Sequence, residues 1–241
     1  MQKYTQKDKE KFDEIFWNKN EPSQIEIDYL EKTQKYIGYI KWIPGIKMVW
    51  IGNSLAMNSA NKESDIDLLI VTDVHSLWVV RIFCTFIFQI MWVRKTASKH
   101  AWRMCLSFFC TLKWLDFWKF CLEKDPYLYF WILYFRPILD YDNTYDVFLE
   151  QNSSWADYSS YKDTIQNNKK YIKYSKKTKQ SPLSNSLAKM SKIVDWLLKK
   201  LFLPKTLKSY EKIWKPFWVI INDDMLKFHN WDIRKEITEK F

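Results

Sequence analysis

The sequence predicts an α/β (α+β) fold, with a small mixed sheet, flanking helices and a helical C-terminal region. Segments with helical spacing alternate with short β-rich runs up to about residue 111, and a mostly helical pattern interrupted by prolines follows from about residue 117. The hydrophobic fraction of 47% is typical of a protein with a buried core and excludes a disordered chain. We expect a core over residues 25–125 and a helical, Lys-rich region over residues 126–241.

The first elements of the core are a helix and a strand. Residues 25–42 carry apolar side chains at helical spacing, and the pattern stops at Pro44-Gly45, which is typical of a helix end. Residues 46–51 (IKMVWI) form a short run rich in β-formers. The pattern therefore predicts a helix followed by a buried strand.

A short helix or turn and a second strand come next. Residues 54–61 follow the first strand, and Ser54 is a residue type that favours the N-cap of a helix. Residues 65–72 (DIDLLIVT) contain strong β-formers. This order predicts two strands joined through one short helical segment.

The apolar stretch over residues 77–93 could be a membrane span or a core helix. It has 17 residues, which is the short limit for a spanning helix. Arg81, Thr85 and Gln89 are spaced four apart and fall on one helical stripe, and an arginine in a bilayer is costly. We therefore favour a core helix over about 76–95 with a narrow polar face over a membrane span, and membrane association stays open as the less favoured alternative.

Residues 103–111 (RMCLSFFCT) complete the predicted sheet as a third strand. From about residue 117 onward the pattern is mostly helical, and five prolines interrupt it, at positions 126, 137, 182, 204 and 216. The region 126–241 is therefore expected to be helical.

Two acidic residues at the start of the second strand are the strongest candidates for chemistry. Side chains two apart on a strand point to the same face, so Asp65 and Asp67 are expected to lie side by side. Neighbouring carboxylates repel each other, and Mg²⁺ relieves this repulsion by binding carboxylates together with substrate phosphates. An isolated Asp-x-Asp is common and could be an exposed strand edge, but the apolar run and the turn before it favour a site.

That turn is a candidate phosphate site. Gly52, Asn53 and Ser54 lie where a strand ends and a short helix begins, and backbone N–H groups at such a point favour an anion such as a triphosphate. One short helix separates this turn from Asp65 and Asp67. We therefore expect the phosphate site and the metal ligands to share one cleft.

The segments 51–57 (IGNSLAM) and 64–70 (SDIDLLI) together resemble the signature of the DNA polymerase beta-like nucleotidyltransferase superfamily. The likeness is to small bacterial nucleotidyltransferase-domain proteins over about residues 40–110, with a weaker similarity at 228–232 (FHNWD). It implies that Asp65 and Asp67 bind Mg²⁺ and that Gly52 and Ser54 line the phosphate site. The implied reaction moves a nucleoside monophosphate from an NTP to an acceptor hydroxyl and releases pyrophosphate.

The sequence departs from this family at two places. Asn53 stands between the glycine and the serine that are usually adjacent, and the third strand lacks the third carboxylate that active members usually supply. Asp116 beyond that strand is the candidate for this role. The alternative is a catalytically incomplete protein that binds nucleotide or nucleic acid. A membrane-associated interaction protein is a third hypothesis.

Positive charge is concentrated in the last third of the chain. The net charge is +10, and residues 162–241 contain 19 Lys and Arg against 8 Asp and Glu. The run 169–179 combines lysines with Tyr171 and Tyr174, which could bind nucleic acid by phosphate neutralisation and base stacking. A solvated helical face is the preferred interpretation.

The cysteines and the N-terminal segment favour a reducing, cytoplasmic location. The four cysteines form no Cys-x-x-Cys pair, and the charged N-terminal segment lacks the pattern of a signal peptide. We therefore expect core thiols without disulfides or zinc.

The chain has 3 glycines but 14 tryptophans. Trp92 and Trp231 lie where a turn or helix end is expected, and glycine suits a positive φ best. We hypothesise that some tryptophan positions are glycine in the natural protein, if its source reads a codon differently from the table used for translation.

Overall fold

The structure is a computed structural model, which describes residues 1–177, 182–212, 219–228 and 233–241. The described residues form a mixed α/β structure around one sheet. The helices are α1 (Gln6–Phe16), α2 (Gln24–Ile40), α3 (Asn53–Ala56), α4 (Leu77–Ile90), α5 (Pro126–Leu133), α6 (Thr144–Asn152), α7 (Lys162–Lys169), α8 (Pro182–Lys212) and α9 (Arg234–Thr238). The strands are β1 (Ile46–Ile51), β2 (Ile66–Thr72), β3 (Met104–Thr111), β4 (Arg136–Tyr141), β5 (Tyr174–Lys176), β6 (Ile220–Ile221) and β7 (Met225–Lys227).

The sheet has the strand order β5-β4-β1-β2-β3-β7-β6. Strand β1 is antiparallel to both of its neighbours, whereas β2 and β3 are parallel. A parallel pair needs a crossover, and α4 provides it between β2 and β3. The start of β2 and the start of β3 consequently lie at the same end of the sheet.

Helices cover both faces of the sheet because alternate strand residues are apolar on each side. On one face Trp50, Leu69 and Phe108 pack with an aromatic cluster from α5 and α6. On the other face Val49 and Leu68 pack against α2 and α4. Part of α8 packs against the same group of buried side chains. Both faces of the central strands are therefore buried.

The predicted order of helix and strand in the core is confirmed. The helix at 25–42 corresponds to α2, and the three predicted strands correspond to β1, β2 and β3 within one or two residues. The N-cap prediction was wrong: Gly52 is the N-cap of α3, and Ser54 lies inside the helix. Asn53, the first residue of the helix, has a left-handed φ of 52°.

The region 126–241 is not only helical. It supplies β4, which lies between β1 and β5, and it supplies β7, which pairs with β3. A boundary at residue 125 therefore runs through a single sheet. Strand β4 was not predicted because it contains Pro137, and proline is normally found only in edge strands or bulges.

Helix α4 has the expected buried side, but its outer side differs from the expectation. Arg81 packs on the rings of Trp78, Phe109 and Phe228 rather than facing water. Of the predicted polar stripe, Gln89 is exposed and Thr85 is half-buried. Apolar residues are also turned to solvent, with Phe86 and Ile90 about 60% exposed. None of the helices in the described ranges is long and apolar enough to cross a membrane.

Candidate active site

Asp65 and Asp67 lie at the start of β2. Asp65 directly precedes the strand, and Asp67 is its second residue, so both side chains lie on the face that also carries Leu69 and the aromatic cluster. Both residues are partly buried. One carboxylate oxygen of each, together with the Sγ atom of Cys105, lies within 4.8 Å of the other two. The acids therefore face the same space.

Cys105 was not identified as a site residue from the sequence. It is the partner of Asp67 in the parallel pairing of β2 with β3. The register then shifts, so that Leu69 is opposite Phe108, which indicates one extra residue in β3. Burial first, and then the nearby charge of Asp67, raises the pKa of the Cys105 thiol well above its usual value. The thiol is therefore protonated and neutral. Only the strand register, which the sequence does not reveal, could have identified it.

The two carboxylates differ in their electrostatic environment. Burial and the charge of Asp65 raise the pKa of Asp67 to about 6, although Asn53, Cys105 and Lys95 act to lower it. Asp65 forms an ion pair with Lys95, with 2.6 Å between Nζ and Oδ2. Lys95 therefore partly neutralises the two carboxylates.

Lys95 is itself affected by this site. Although burial acts to lower its pKa, the carboxylates of Asp65 and Asp67 raise it above its usual value. Lys95 follows α4, at the end of the range 76–95 in which the sequence predicts a helix. Its role as the counter-ion of Asp65 depends on the crossover that returns the chain from β2 to β3.

Asn53 connects the turn to the acidic pair. Its Nδ2 donates a hydrogen bond to Oδ2 of Asp67 at 2.6 Å, and its Oδ1 accepts one from Nε1 of Trp131 at 2.7 Å. The backbone N–H of Gly52 donates to the carbonyl oxygen of Asp67 at 3.0 Å. The predicted turn and the predicted metal ligands are therefore adjacent.

The hydrogen-bond donors that could still bind an anion at this site are backbone N–H groups at the start of α3. The Gly52 N–H and the Asn53 side chain are already bonded within the site, so neither is available to a phosphate without rearrangement. The first backbone N–H groups of a helix have no acceptor within it, which leaves those of Asn53, Ser54 and Leu55. A side chain at position 52 would approach Leu69 to 3.3 Å, so glycine keeps this turn close to the sheet.

The donor set can hold a hard divalent cation through its carboxylates. Mg²⁺ prefers carboxylate oxygens and binds through one or two of them together with phosphate oxygens. A protonated thiol is a poor ligand for such a cation, so Cys105 adds nothing to an Mg²⁺ site. Asp65 and Asp67 are thus the residues that would bind Mg²⁺.

Asp116 does not join this cluster. It caps the 3₁₀-helix Phe117–Phe120 by accepting a hydrogen bond from Trp118 N–H at 3.0 Å. Among the described residues, the acids and thiols that lie together at the start of β2 are Asp65, Asp67 and Cys105, and Asp116 is not one of them. The expectation that Asp116 supplies a third carboxylate was therefore wrong.

The basic run of the last third is engaged with the protein at several points. The ring of Tyr171 lies beside the Arg136 guanidinium at 4.7 Å, and Tyr174 donates to the Gln34 carbonyl at 3.0 Å. Lys169 forms an ion pair with Asp146. Both tyrosines pack on the core layer of α2, which leaves less ring surface for base stacking. The end of the run at Lys179 and the residues 229–232 of the C-terminal motif lie outside the described residues.

No protein-family model, no curated protein sequence and no solved structure matches this chain.

Proposed function

We propose that this protein is an Mg²⁺-dependent nucleotidyltransferase that acts on an NTP and an acceptor hydroxyl. The proposal rests on one observation, the two neighbouring carboxylates of Asp65 and Asp67 beside the first turn of α3. Carboxylates bind the metal of a metal–nucleotide complex, and free N–H groups at a helix start bind phosphate oxygens. The nucleotide's phosphates would bridge these two groups.

The chemistry is an in-line displacement at phosphorus. The acceptor oxygen forms a bond to the α-phosphorus, the bond to the β-phosphate oxygen breaks, pyrophosphate leaves, and the hydroxyl proton passes to solvent. Bound Mg²⁺ neutralises charge on the phosphates and on the leaving oxygen. The protein's own contribution is positioning: Asn53 holds Asp67 in place, and Lys95 orients Asp65 until a nucleotide arrives.

Label transfer tests the proposal. Purified protein is incubated with α-³²P-labelled NTPs, Mg²⁺ and a cell extract as the source of acceptor. Asp65→Asn and Asp67→Asn should each reduce transfer at least 100-fold, because a neutral amide binds Mg²⁺ far more weakly than a carboxylate. Asp116→Asn is the matched control and should transfer label as the wild type does. Equal transfer by all four proteins would contradict the proposal.

A catalytically incomplete nucleotide-binding protein is the second candidate, and Cys105 favours it. Cys105 is the strand neighbour of Asp67, on the strand from which a third carboxylate is expected. A neutral thiol there cannot serve as a base or as a ligand for a hard cation. Such a protein would bind Mg²⁺–NTP without transferring the nucleotide.

The variant Cys105→Asp distinguishes the two candidates. If the site lacks only a third carboxylate, the wild type should bind Mg²⁺–NTP in calorimetry without label transfer, and the variant should gain transfer. If the wild type is an active enzyme, the added charge should instead leave transfer unchanged or reduce it. Circular dichroism would establish that the variant is folded before either result is interpreted.

A further inference from the structure

Two helices on the same face of the sheet present apolar side chains to solvent. On α4 these are Phe83, Phe86 and Ile90, and on α8 they are Ile193, Leu197 and Leu201. All six are between 48% and 69% exposed. Their spacing of three or four residues places them in one stripe on each helix. Together we call them the α4–α8 stripe.

The two helices pack together, so their outer sides belong to one region of the surface. Asp195 of α8 accepts hydrogen bonds from the backbone N–H groups of Trp78 and Val79 at 2.7 and 2.9 Å. Ser191 and Ser76 are joined through their hydroxyls at 3.1 Å. Exposed apolar surface of this extent marks an interaction site.

The charge around the stripe is positive. Lys192, Lys200, Lys205 and Lys208 are exposed on α8. Of its two acidic residues, Asp195 is buried under α4 and Glu211 is exposed near the end of the helix. Helix α4 contains no acidic residue. An apolar stripe flanked by lysines is typical of a helix that lies in the plane of an anionic membrane surface.

We propose that the α4–α8 stripe binds the surface of an anionic lipid bilayer. The apolar side chains would enter the boundary between headgroups and acyl chains, and the lysines would lie over the anionic headgroups. A second copy of the chain fits less well, because two lysine-rich α8 helices would then face each other. This attachment is independent of the proposed nucleotidyl transfer.

Vesicle co-sedimentation of the full chain tests this proposal. Wild type should sediment with phosphatidylcholine vesicles containing phosphatidylglycerol, less at high salt, and should not sediment with phosphatidylcholine alone. The double variant Leu197→Gln/Leu201→Gln should bind at least ten-fold more weakly. Val147→Gln, at an exposed residue of α6 on the other face, is the matched control and should bind as wild type does.

Three results would overturn the proposal. The first is equal binding of the double variant and wild type, and the second is no binding to anionic vesicles. The third is a dimer or an RNA complex, seen by light scattering or gel shift, that the double variant abolishes while vesicle binding is absent. Circular dichroism spectra that match the wild type establish that the variants are folded.

A different observation carries a second inference, concerning three tryptophans with left-handed backbone. Trp17, Trp92 and Trp102 have φ values of 52°, 55° and 52°. The other non-glycine residues of positive φ in the described ranges are Asn, Asp and His, the types that tolerate this conformation best. A bulky aromatic residue there is an outlier.

The backbone hydrogen bonds at Trp92 and Trp17 form a pattern in which the left-handed residue is usually glycine. After α4, Trp92 N–H donates to Gln89 O at 3.1 Å and Val93 N–H to Phe88 O at 3.0 Å. This pair of bonds defines a Schellman motif, in which the left-handed residue is usually glycine. After α1, Trp17 N–H and Asn18 N–H bond to Glu14 O and Asp13 O in the same pattern.

Trp102 occupies the third position of a turn. Arg103 N–H donates to His100 O at 3.0 Å, which closes a four-residue turn with Trp102 third. A positive φ at the third position is the requirement of a type II turn and selects glycine. By contrast, Trp50, Trp78, Trp131 and Trp155 are buried at ordinary φ values.

We infer that residues 17, 92 and 102 are glycine in the natural protein, and that the core tryptophans are tryptophan. Peptide mass spectrometry of the protein from its source should find each of the three sites lighter by an indolylmethyl group. Finding tryptophan at all three sites would overturn the inference. Trp231, also suspected from the sequence, lies outside the described residues.

A recombinant chain provides an independent measurement. Trp92→Gly and Trp17→Gly should each increase the folding equilibrium constant about five-fold, because glycine adopts a positive φ without steric cost. Trp50→Gly, at a buried position of β1, is the control and should strongly destabilise the protein. A decrease in stability for both Trp17→Gly and Trp92→Gly would contradict the inference.

Discussion

Asp67 is an acid whose protonation is coupled to folding. Burial and the charge of Asp65 raise its pKa to about 6 in the folded protein, whereas a solvated aspartate has a pKa of about 4. The folded state therefore holds this proton more tightly than the unfolded chain. The stability that results is fully present below about pH 4 and is lost as the pH rises through 6.

Replacing Asp67 by asparagine should remove this pH dependence. We expect Asp67→Asn to be more stable than wild type at pH 8, by on the order of 2 kcal/mol, and to differ little from it at pH 4. Urea unfolding at both pH values measures the difference between the two proteins. Asp116→Asn, at an exposed cap, should shift stability equally at both pH values; a pH-independent effect of Asp67→Asn would contradict this assignment.

Among the elements, α4 depends on a cap from a distant part of the chain. Its own N-cap residue, Ser76, makes no side-chain capping bond, and Asp195 of α8 accepts from the first N–H groups instead. A carboxylate there also interacts favourably with the helix dipole. This contact connects the C-terminal third of the chain to the crossover helix.

Removing that cap should destabilise the protein. We expect Asp195→Ala to lower the free energy of unfolding by about 1–2 kcal/mol, since it leaves buried N–H groups without an acceptor. Thermal unfolding followed by circular dichroism measures the effect. The control is Asp223→Ala, because Asp223 is largely exposed and pairs only with Lys199 among the described residues. If Asp195→Ala lowers the free energy of unfolding no more than Asp223→Ala does, the cap does not contribute to stability.

The elements that the sequence predicted are ones that carry strong periodicity. Helix α2 and strands β1 to β3 have clear patterns, whereas β6 and β7 are two and three residues long and have no period to detect. The acidic pair was predictable because residues two apart on a strand share a face. The neighbours Cys105 and Lys95 were not, because their positions depend on strand register and on the crossover.

At the scale of the whole molecule, a buried ion pair connects helix α9 to the core. Arg234 of α9 donates from Nη1 to Oδ2 of Asp125 at 2.8 Å and to the carbonyl oxygen of Phe120 at 2.5 Å. Both members of the pair are buried. Asp125 is also the N-cap of α5, so the pair joins two helices far apart in sequence.

Breaking this pair should weaken the whole fold. We expect Arg234→Ala to lower the free energy of unfolding by about 3 kcal/mol, because it leaves the Asp125 carboxylate buried without its counter-ion. Chemical denaturation measures the loss. Lys3→Ala breaks an ion pair in which Lys3 is mostly exposed, and it should cost less than about 1 kcal/mol. Similar losses for the two variants would contradict the structural role of Arg234.

The pairing of β3 with β7 has a consequence for synthesis on the ribosome. Strand β3 forms one side of the acidic site, yet its second neighbour, β7, comes much later in the chain. During translation the outer edge of β3 has no strand to pair with until β7 has been synthesised. The nascent protein thus carries an open strand edge beside its acidic residues, which makes it sensitive to chaperones and to premature termination.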